Sequence, residues 1–124
     1  MTAVRLRWDG GSVRGTLDAC PTADALLPAL PLTAPAGRWG ALASLEAGAP
    51  ARLDARPQTV VEPGVICYWT QGRAVLFPFG PTPIAEASEC RLVTACNVIG
   101  KVDGEPRQLA SIAEGMTLTL ERIE

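Results

Sequence analysis

The run MTLTLERI, residues 116–123, alternates apolar and polar side chains, setting Met116, Leu118 and Leu120 on one side and Thr117, Thr119 and Glu121 on the other. Successive side chains of an extended chain point to opposite faces, so a period of two specifies a strand with one buried face. Residues 4–8 repeat the pattern, with Val4, Leu6 and Trp8 against Arg5 and Arg7. After Asp9-Gly10-Gly11-Ser12, Val13 and Leu17 share one face and Arg14 and Thr16 the other. Gly10 and Gly11 accept the positive φ that tight hairpin turns require, so the chain opens with a β-hairpin.

The remaining runs are short and cut by proline and glycine. Thr22 is placed to cap a short helix whose Leu26, Leu27 and Leu30 form an apolar stripe, and Pro28 limits that helix because it lacks an amide hydrogen. Residues 32–37 read as a loop, and residues 38–46 as a strand with Trp39 and Leu45 as its heaviest members. Gly48, Pro50, Pro57, Pro63 and Gly64 then leave only residues 51–55 and 58–61 as edge strands. Residues 65–69 and 74–79 form a second hairpin around Thr70-Gln71-Gly72-Arg73, with Pro78 at a position that needs no ladder donor. Residues 91–102 make the longest strand, apolar on both faces and so covered on both. Pro106 starts a second short helix that brings Leu109, Ile112 and Ala113 to one face and stops at Gly115.

About eight strands joined by short turns, with two brief helices, specify a mainly β protein. An antiparallel sheet that closes on itself removes the edges these proline-rich strands would expose, and the two helices cap the barrel. A chain of 124 residues supports one core, so residues 1–124 are expected to form a single domain.

Composition narrows the function. Eleven basic residues stand against thirteen acidic ones, a formal charge of -2, and the arginines are scattered singly. A groove that tracks phosphates needs a basic stripe with stacked aromatics, so no nucleic-acid partner is expected. No apolar run approaches the roughly 20 residues of a spanning helix, and no membrane role is expected. The first residues lack the pattern of a signal peptide, which gives a cytoplasmic location by default. The sequence contains no histidine, which removes His-based triads, His metal sites and the usual general base near neutral pH. Cys20, Cys67, Cys90 and Cys96 include no Cys-x-x-Cys pair and are read as buried free thiols in a reducing compartment. On one extended strand the α-carbons of Cys90 and Cys96 lie about 20 Å apart, too far for a disulfide. No metal or other cofactor is indicated.

Three segments in fixed order, EPGVICYW (62–69), GRAVLFPFGPTP (72–83) and ACNVIGKV (95–102), followed by a short helix and a last strand, resemble the small prokaryotic cyclophilin-like proteins. That family shows a Gly-x-x-x-Tyr-Trp run, a Phe-Gly-x-Thr-Pro turn and an Asn-Val-Ile-Gly-Lys strand, and its function is largely unassigned. The resemblance covers nearly the whole chain and implies a closed eight-stranded antiparallel cyclophilin-like barrel with two capping helices. Classical cyclophilins isomerise X-Pro bonds with an arginine donor beside an apolar slot, a rotation that needs no general base. Their catalytic arginine precedes a Phe-Met-x-Gln-Gly-Gly-Asp stretch; here Arg38 is followed by WGALASLEAG, so no catalytic residue carries over.

Aromatic and arginine residues cluster in these segments, and the expected site comprises Arg38, Trp39, Trp69, Arg73, Phe77, Phe79 and Thr82, binding a peptide segment or small apolar ligand. A prolyl isomerase using the same surface is the alternative. Phe77 and Phe79 share the parity of Val75, which also fits the barrel interior or a seam beneath a helix. Tyr68 and Trp69 point to opposite faces, so one is core and the other belongs to the surface or a pocket. The Phe79-Gly80-Pro81-Thr82-Pro83 turn also fits a rigid strand exit, and Asn97 fits a loop anchor better than a ligand contact.

Overall fold

A computed structural model describes residues 1–123. Its strands are β1 (Thr2–Trp8), β2 (Gly11–Leu17), β3 (Leu32–Pro35), β4 (Gly37–Arg38), β5 (Leu42–Glu46), β6 (Gln58–Val61), β7 (Val65–Trp69), β8 (Ala74–Pro78), β9 (Cys90–Val102) and β10 (Thr117–Arg122). Helix α1 (Pro21–Leu26) runs into a 3-10 turn (Leu27–Ala29), and a 3-10 helix spans Pro106–Ser111. The pairing order is β3-β10-β1-β2-β9-β7-β8-β5-β4, antiparallel throughout, with β6 paired to β9 off this path.

The first and last strands of that path are consecutive in the chain, separated only by Ala36. The Ala36 amide donates to the Met116 carbonyl at 2.7 Å, and the Ala36 carbonyl accepts from Gly115 at 2.8 Å. Residues 32–38 therefore act as one extended run that holds β10 along its first half and β5 along its second, which closes the barrel. The split of this run into β3 and β4 gives nine strands along the path, where the sequence led to eight.

Inward-facing side chains of the alternating strands fill the interior. Val4 and Leu6 of β1, Leu17 of β2, Ile66 and Tyr68 of β7, Val75 and Phe77 of β8, Ile99 of β9 and Leu118 and Leu120 of β10 share one core with Leu26 of α1 and Leu109 and Ile112. Each of the larger apolar side chains stabilises the fold by roughly 1.5–3 kcal/mol through burial. Side chains of the opposite parity, Leu42, Cys67, Ala74 and Leu76, form a second cluster on the outer wall with Val61, Cys90, Leu92 and Cys96. Strand β9 serves both layers: its last residues pair with β2 and β7, while its first part pairs with β6 in a two-stranded ribbon over that wall. Apolar residues on both faces of β8 follow directly from this double burial.

Several local expectations change. Residues 32–35 are a strand because β10 offers a complete ladder, which overrides a loop-like Pro/Ala composition. Residues 38–46 are two strands and not one: Gly40 takes a φ of +57°, and Trp39 N–H donates to Leu42 O at 2.9 Å to close a hairpin. Residues 51–55 form no strand; this stretch is held by Asn97, whose carbonyl oxygen accepts from Asp54 N–H and whose amide donates to Arg52 O and Thr22 Oγ1, each at 2.8 Å. Thr22 is thus not the helix cap: Cys20 occupies that position without a side-chain cap, and Pro21 begins the helix. Pro28 ends α1 as its missing amide requires, and Pro78 stands at the last position of β8. Only the later part of β9 is covered on both faces, since Val93 is 61% exposed.

Candidate functional site

On the outer wall, the register sets Ser44 opposite Leu76 and Leu76 opposite Cys67, a row of outward side chains across β5, β8 and β7. The β4–β5 turn carries Trp39 to one end of that row, and β7 ends on Trp69 opposite Ala74, whose single methyl leaves space beside the indole. The ribbon supplies Leu92 and Val93. Together Trp39, Leu42, Ser44, Trp69, Leu76, Leu92 and Val93 line a cleft of about 290 Å³.

Two glycines position its tryptophans. A Cβ at Gly72 would lie 2.2 Å from Trp69 Cε3, 2.3 Å from Cζ3 and 2.7 Å from Cδ2, so the face of the benzo ring rests directly on that backbone. At Gly40 the positive φ combines with Pro83 Cδ 2.8 Å from the Cβ position, so the turn before β5 admits glycine alone without displacement. Among the described residues no ionisable side chain lines the cleft, and Ser44 is its one hydroxyl-bearing residue. Trp69 Nε1 is buried with no hydrogen-bond partner among the described residues. Cys67, Cys90 and Cys96 are free and lie in the same outer cluster. Burial pushes all three thiols up, Cys96 to about 11, and Cys67 is raised further by its two neighbouring thiols. Burial thus disfavours the thiolate, the nucleophilic form of cysteine, at all three.

The structure divides the residues expected at the site. Trp39 and Trp69 meet in the cleft. Phe77 is 1% exposed in the barrel interior, as its parity with Val75 allowed, and forms no part of an open surface. Arg38 and Phe79 form a separate pair, the guanidinium carbon 4.9 Å from the ring centroid. Arg38 Nε donates to Gly40 O at 2.8 Å, and Nη1 donates to Ile112 O at 2.6 Å and Ala110 O at 3.3 Å, tying the β4–β5 turn to the segment after the 3-10 helix. Arg73 is exposed in the β7–β8 turn with φ +50°, and its carbonyl accepts from Ala47 and Gly48. Thr82 is buried and donates its hydroxyl to Arg91 O, which fixes the Phe-Gly-Pro-Thr-Pro turn as a strand exit. Tyr68 is the core member of the Tyr68–Trp69 pair, its hydroxyl donating to Ala49 O. Cys20 is half-buried, which departs from the expectation of four buried thiols.

Leu42, Ser44, Leu76, Leu92 and Val93 complete the cleft and were absent from the sequence-based site. Leu76 had a legible signal: AVLFP is apolar on both parities, which requires cover on the outer wall as well as inside. Leu42 and Ser44 join Trp39 only through the Gly40 hairpin, and Leu92 and Val93 only through the folding of the ribbon over the wall.

This architecture defines a class: a closed antiparallel barrel with an aromatic cleft on its outside. A family model described as cyclophilin-like matches residues 2–121. The chain belongs to the cyclophilin-like family. Its structure is similar to the solution structure of a hypothetical protein from Archaeoglobus fulgidus, with a TM-score of 0.81 and 28% identity over 98% of this chain and 95% of that one. No curated protein matches the chain.

Proposed function

We propose that the protein binds a small apolar ligand, or an apolar group of a peptide segment, in the Trp39/Trp69 cleft. The observation that carries this reading is the pairing of two half-buried tryptophans in the wall of one apolar cavity that opens beside exposed Val93. A tryptophan buries up to about 250 Å² when fully covered, so two left partly uncovered around a cavity form an unused apolar contact surface. The absence of ionisable groups from the lining suits binding and supplies no acid or base for a reaction. The prolyl-isomerase alternative requires a guanidinium free to meet a prolyl nitrogen, whereas Arg38 commits Nε and Nη1 to backbone carbonyls.

Titration with a panel of uncharged aromatic metabolites and proline-containing peptides, followed by tryptophan fluorescence and calorimetry, tests the proposal. At least one compound is expected to bind with an affinity that falls about tenfold or more in Trp39→Ala and stays near wild type in Phe79→Ala. Equal affinity for wild type and Trp39→Ala would move the site elsewhere. A coupled prolyl-peptide assay reads the alternative, which predicts acceleration that disappears in Arg38→Ala or Arg73→Ala.

A further inference from the structure

We infer that the ligand of the Trp39/Trp69 cleft is an organic cation, a ring seated in the apolar cavity with a protonated amine on a short carbon arm that meets the Glu46 carboxylate at the rim. The inference rests on the cleft being the binding site proposed above and adds the ligand's charge to it.

The strand register brings Glu46 to the cleft. Glu46 of β5 stands opposite Ala74 of β8, and Ala74 stands opposite Trp69 of β7, so the three form one row across the sheet. Cross-strand partners share a face, and Ala74 belongs to the outer cluster, so Glu46 projects from the outer wall. At about 4.8 Å per strand, the backbones of Glu46 and Trp69 lie roughly 10 Å apart. Only the Ala74 methyl stands between their side chains. Ser44, two residues before Glu46 on the same face, lines the cleft on one side and, on the other, a second depression of about 320 Å³ that Glu46 also lines. The ladder partner of Ser44 is Gly37, which adds no side chain to the divide. A ligand seated in the cleft therefore has the carboxylate within reach of a short arm.

The charge at this rim is not answered within the chain. Glu46 is exposed, and the salt bridges among the described residues join Arg5 and Arg7 to Glu121 and Arg91 to Glu86 and Glu89. None involves Glu46. Arg73, exposed in the turn before Ala74, makes no ion pair with it, and Arg38 is held by backbone carbonyls and the Phe79 ring. Inside the cleft the requirement is the opposite, because no lining side chain is ionisable and an ammonium placed there would lose its hydration without a counter-charge. A ring inside with a cation at the rim satisfies both. A carboxylate on the same arm would meet Glu46 as a like charge.

Three probes that share a phenyl ring and a three-carbon arm differ in the head group alone: phenylpropylamine, phenylpropanol and phenylbutanoate. Calorimetry gives their affinities, and two-dimensional ¹⁵N NMR of the whole chain shows whether the Leu92 and Val93 amides respond. The amine is expected to bind about three- to fivefold more tightly than the alcohol at low salt, the scale of an exposed ion pair, with phenylbutanoate weakest. That preference should fade in about 0.5 M NaCl, where exposed charges are screened. Glu46→Gln should level amine and alcohol, and Glu46→Lys should make phenylbutanoate the preferred probe, with the alcohol unchanged in both. Trp39→Ala should weaken all three. Equal affinity of amine and alcohol for the wild type, with the Leu92 and Val93 amides shifting for both, would overturn the cation requirement and leave the cleft standing as a binding site. An amine preference that persists in Glu46→Gln would overturn the role of Glu46. Cleft amides that stay still for every probe would remove the binding reading itself.

Discussion

Cys67, Cys90 and Cys96 lie in the outer cluster, and burial raises each thiol from an ordinary value of 9.0, Cys96 to about 11. The folded protein therefore holds these protons at pH values where the unfolded chain has released them. Stability drawn from the buried neutral thiols is intact below pH 9.0 and falls as pH rises from there through 11, because the folded state binds more protons in that window. Urea unfolding midpoints measured between pH 7 and the upper end of that range are expected to decline, and a flat profile would contradict the burial. At pH 8 a thiol reagent should label only half-buried Cys20 quickly, and all four after denaturation. Phe77 and Trp39 give a complementary contrast. Phe77→Ala removes a fully buried ring and should cost about 3–5 kcal/mol in denaturant unfolding, while half-buried Trp39→Ala should cost less than half of that and act on binding. Sequence alone left Phe77 open between core and pocket, since parity relative to Val75 says which side residue 77 faces and not which side is the interior.

At the scale of elements, the hairpin turns decide whether the cleft exists. The Gly72 backbone supports the Trp69 indole, so Gly72→Ala must drive the ring off its seat. The expected outcome is a changed tryptophan near-ultraviolet CD spectrum and at least a tenfold loss of affinity for any cleft ligand, with a far-ultraviolet spectrum that stays β-type. Preserved binding would mean that Trp69 does not need this orientation. The regular hairpins β1–β2 and β7–β8 were fully legible, because alternation and turn glycines agree there. The β4–β5 hairpin was not. Its turn residues Trp39, Gly40 and Ala41 continue a weak alternation, and what bends them is contact between Gly40 and the 81–83 segment forty residues away, along with the Ala41 amide bonded to Pro81 O at 2.9 Å. A reading of local period cannot register a constraint of that kind, and Leu42 and Ser44 were lost from the site with it. Arg38 lies outside the cleft for a related reason: it adjoins Trp39 in sequence, and an extended chain sends adjacent side chains to opposite sides.

For the molecule as a whole, closure depends on residues 32–38, which hold two neighbouring strands at once. Ala36→Pro deletes the donor to Met116 O at the point where β3 passes into β4, in a residue that is 4% exposed. The substitution is expected to cost about 3 kcal/mol or more and to raise hydrogen exchange selectively in β3 and β10. Uniform exchange across the sheet would show that the seam is not the weak line of the barrel. Closure itself followed from many short, proline-interrupted strands, since such strands tolerate no long exposed edge. The split of the barrel into an inner core and a covered outer wall was visible only in the two-sided apolar strands β8 and β9, and the identity of the cover, β6 with the first part of β9, emerged from pairing thirty residues apart.

The account turns on the outer-wall cleft being where this barrel meets a ligand, and crystals soaked in a cocktail of small uncharged aromatic compounds address it most directly. The prediction is ordered ligand density between Trp39 and Trp69 against Leu92, absent from Trp39→Ala crystals soaked in parallel. Density bound reproducibly at another surface, with the cleft left empty, would contradict it.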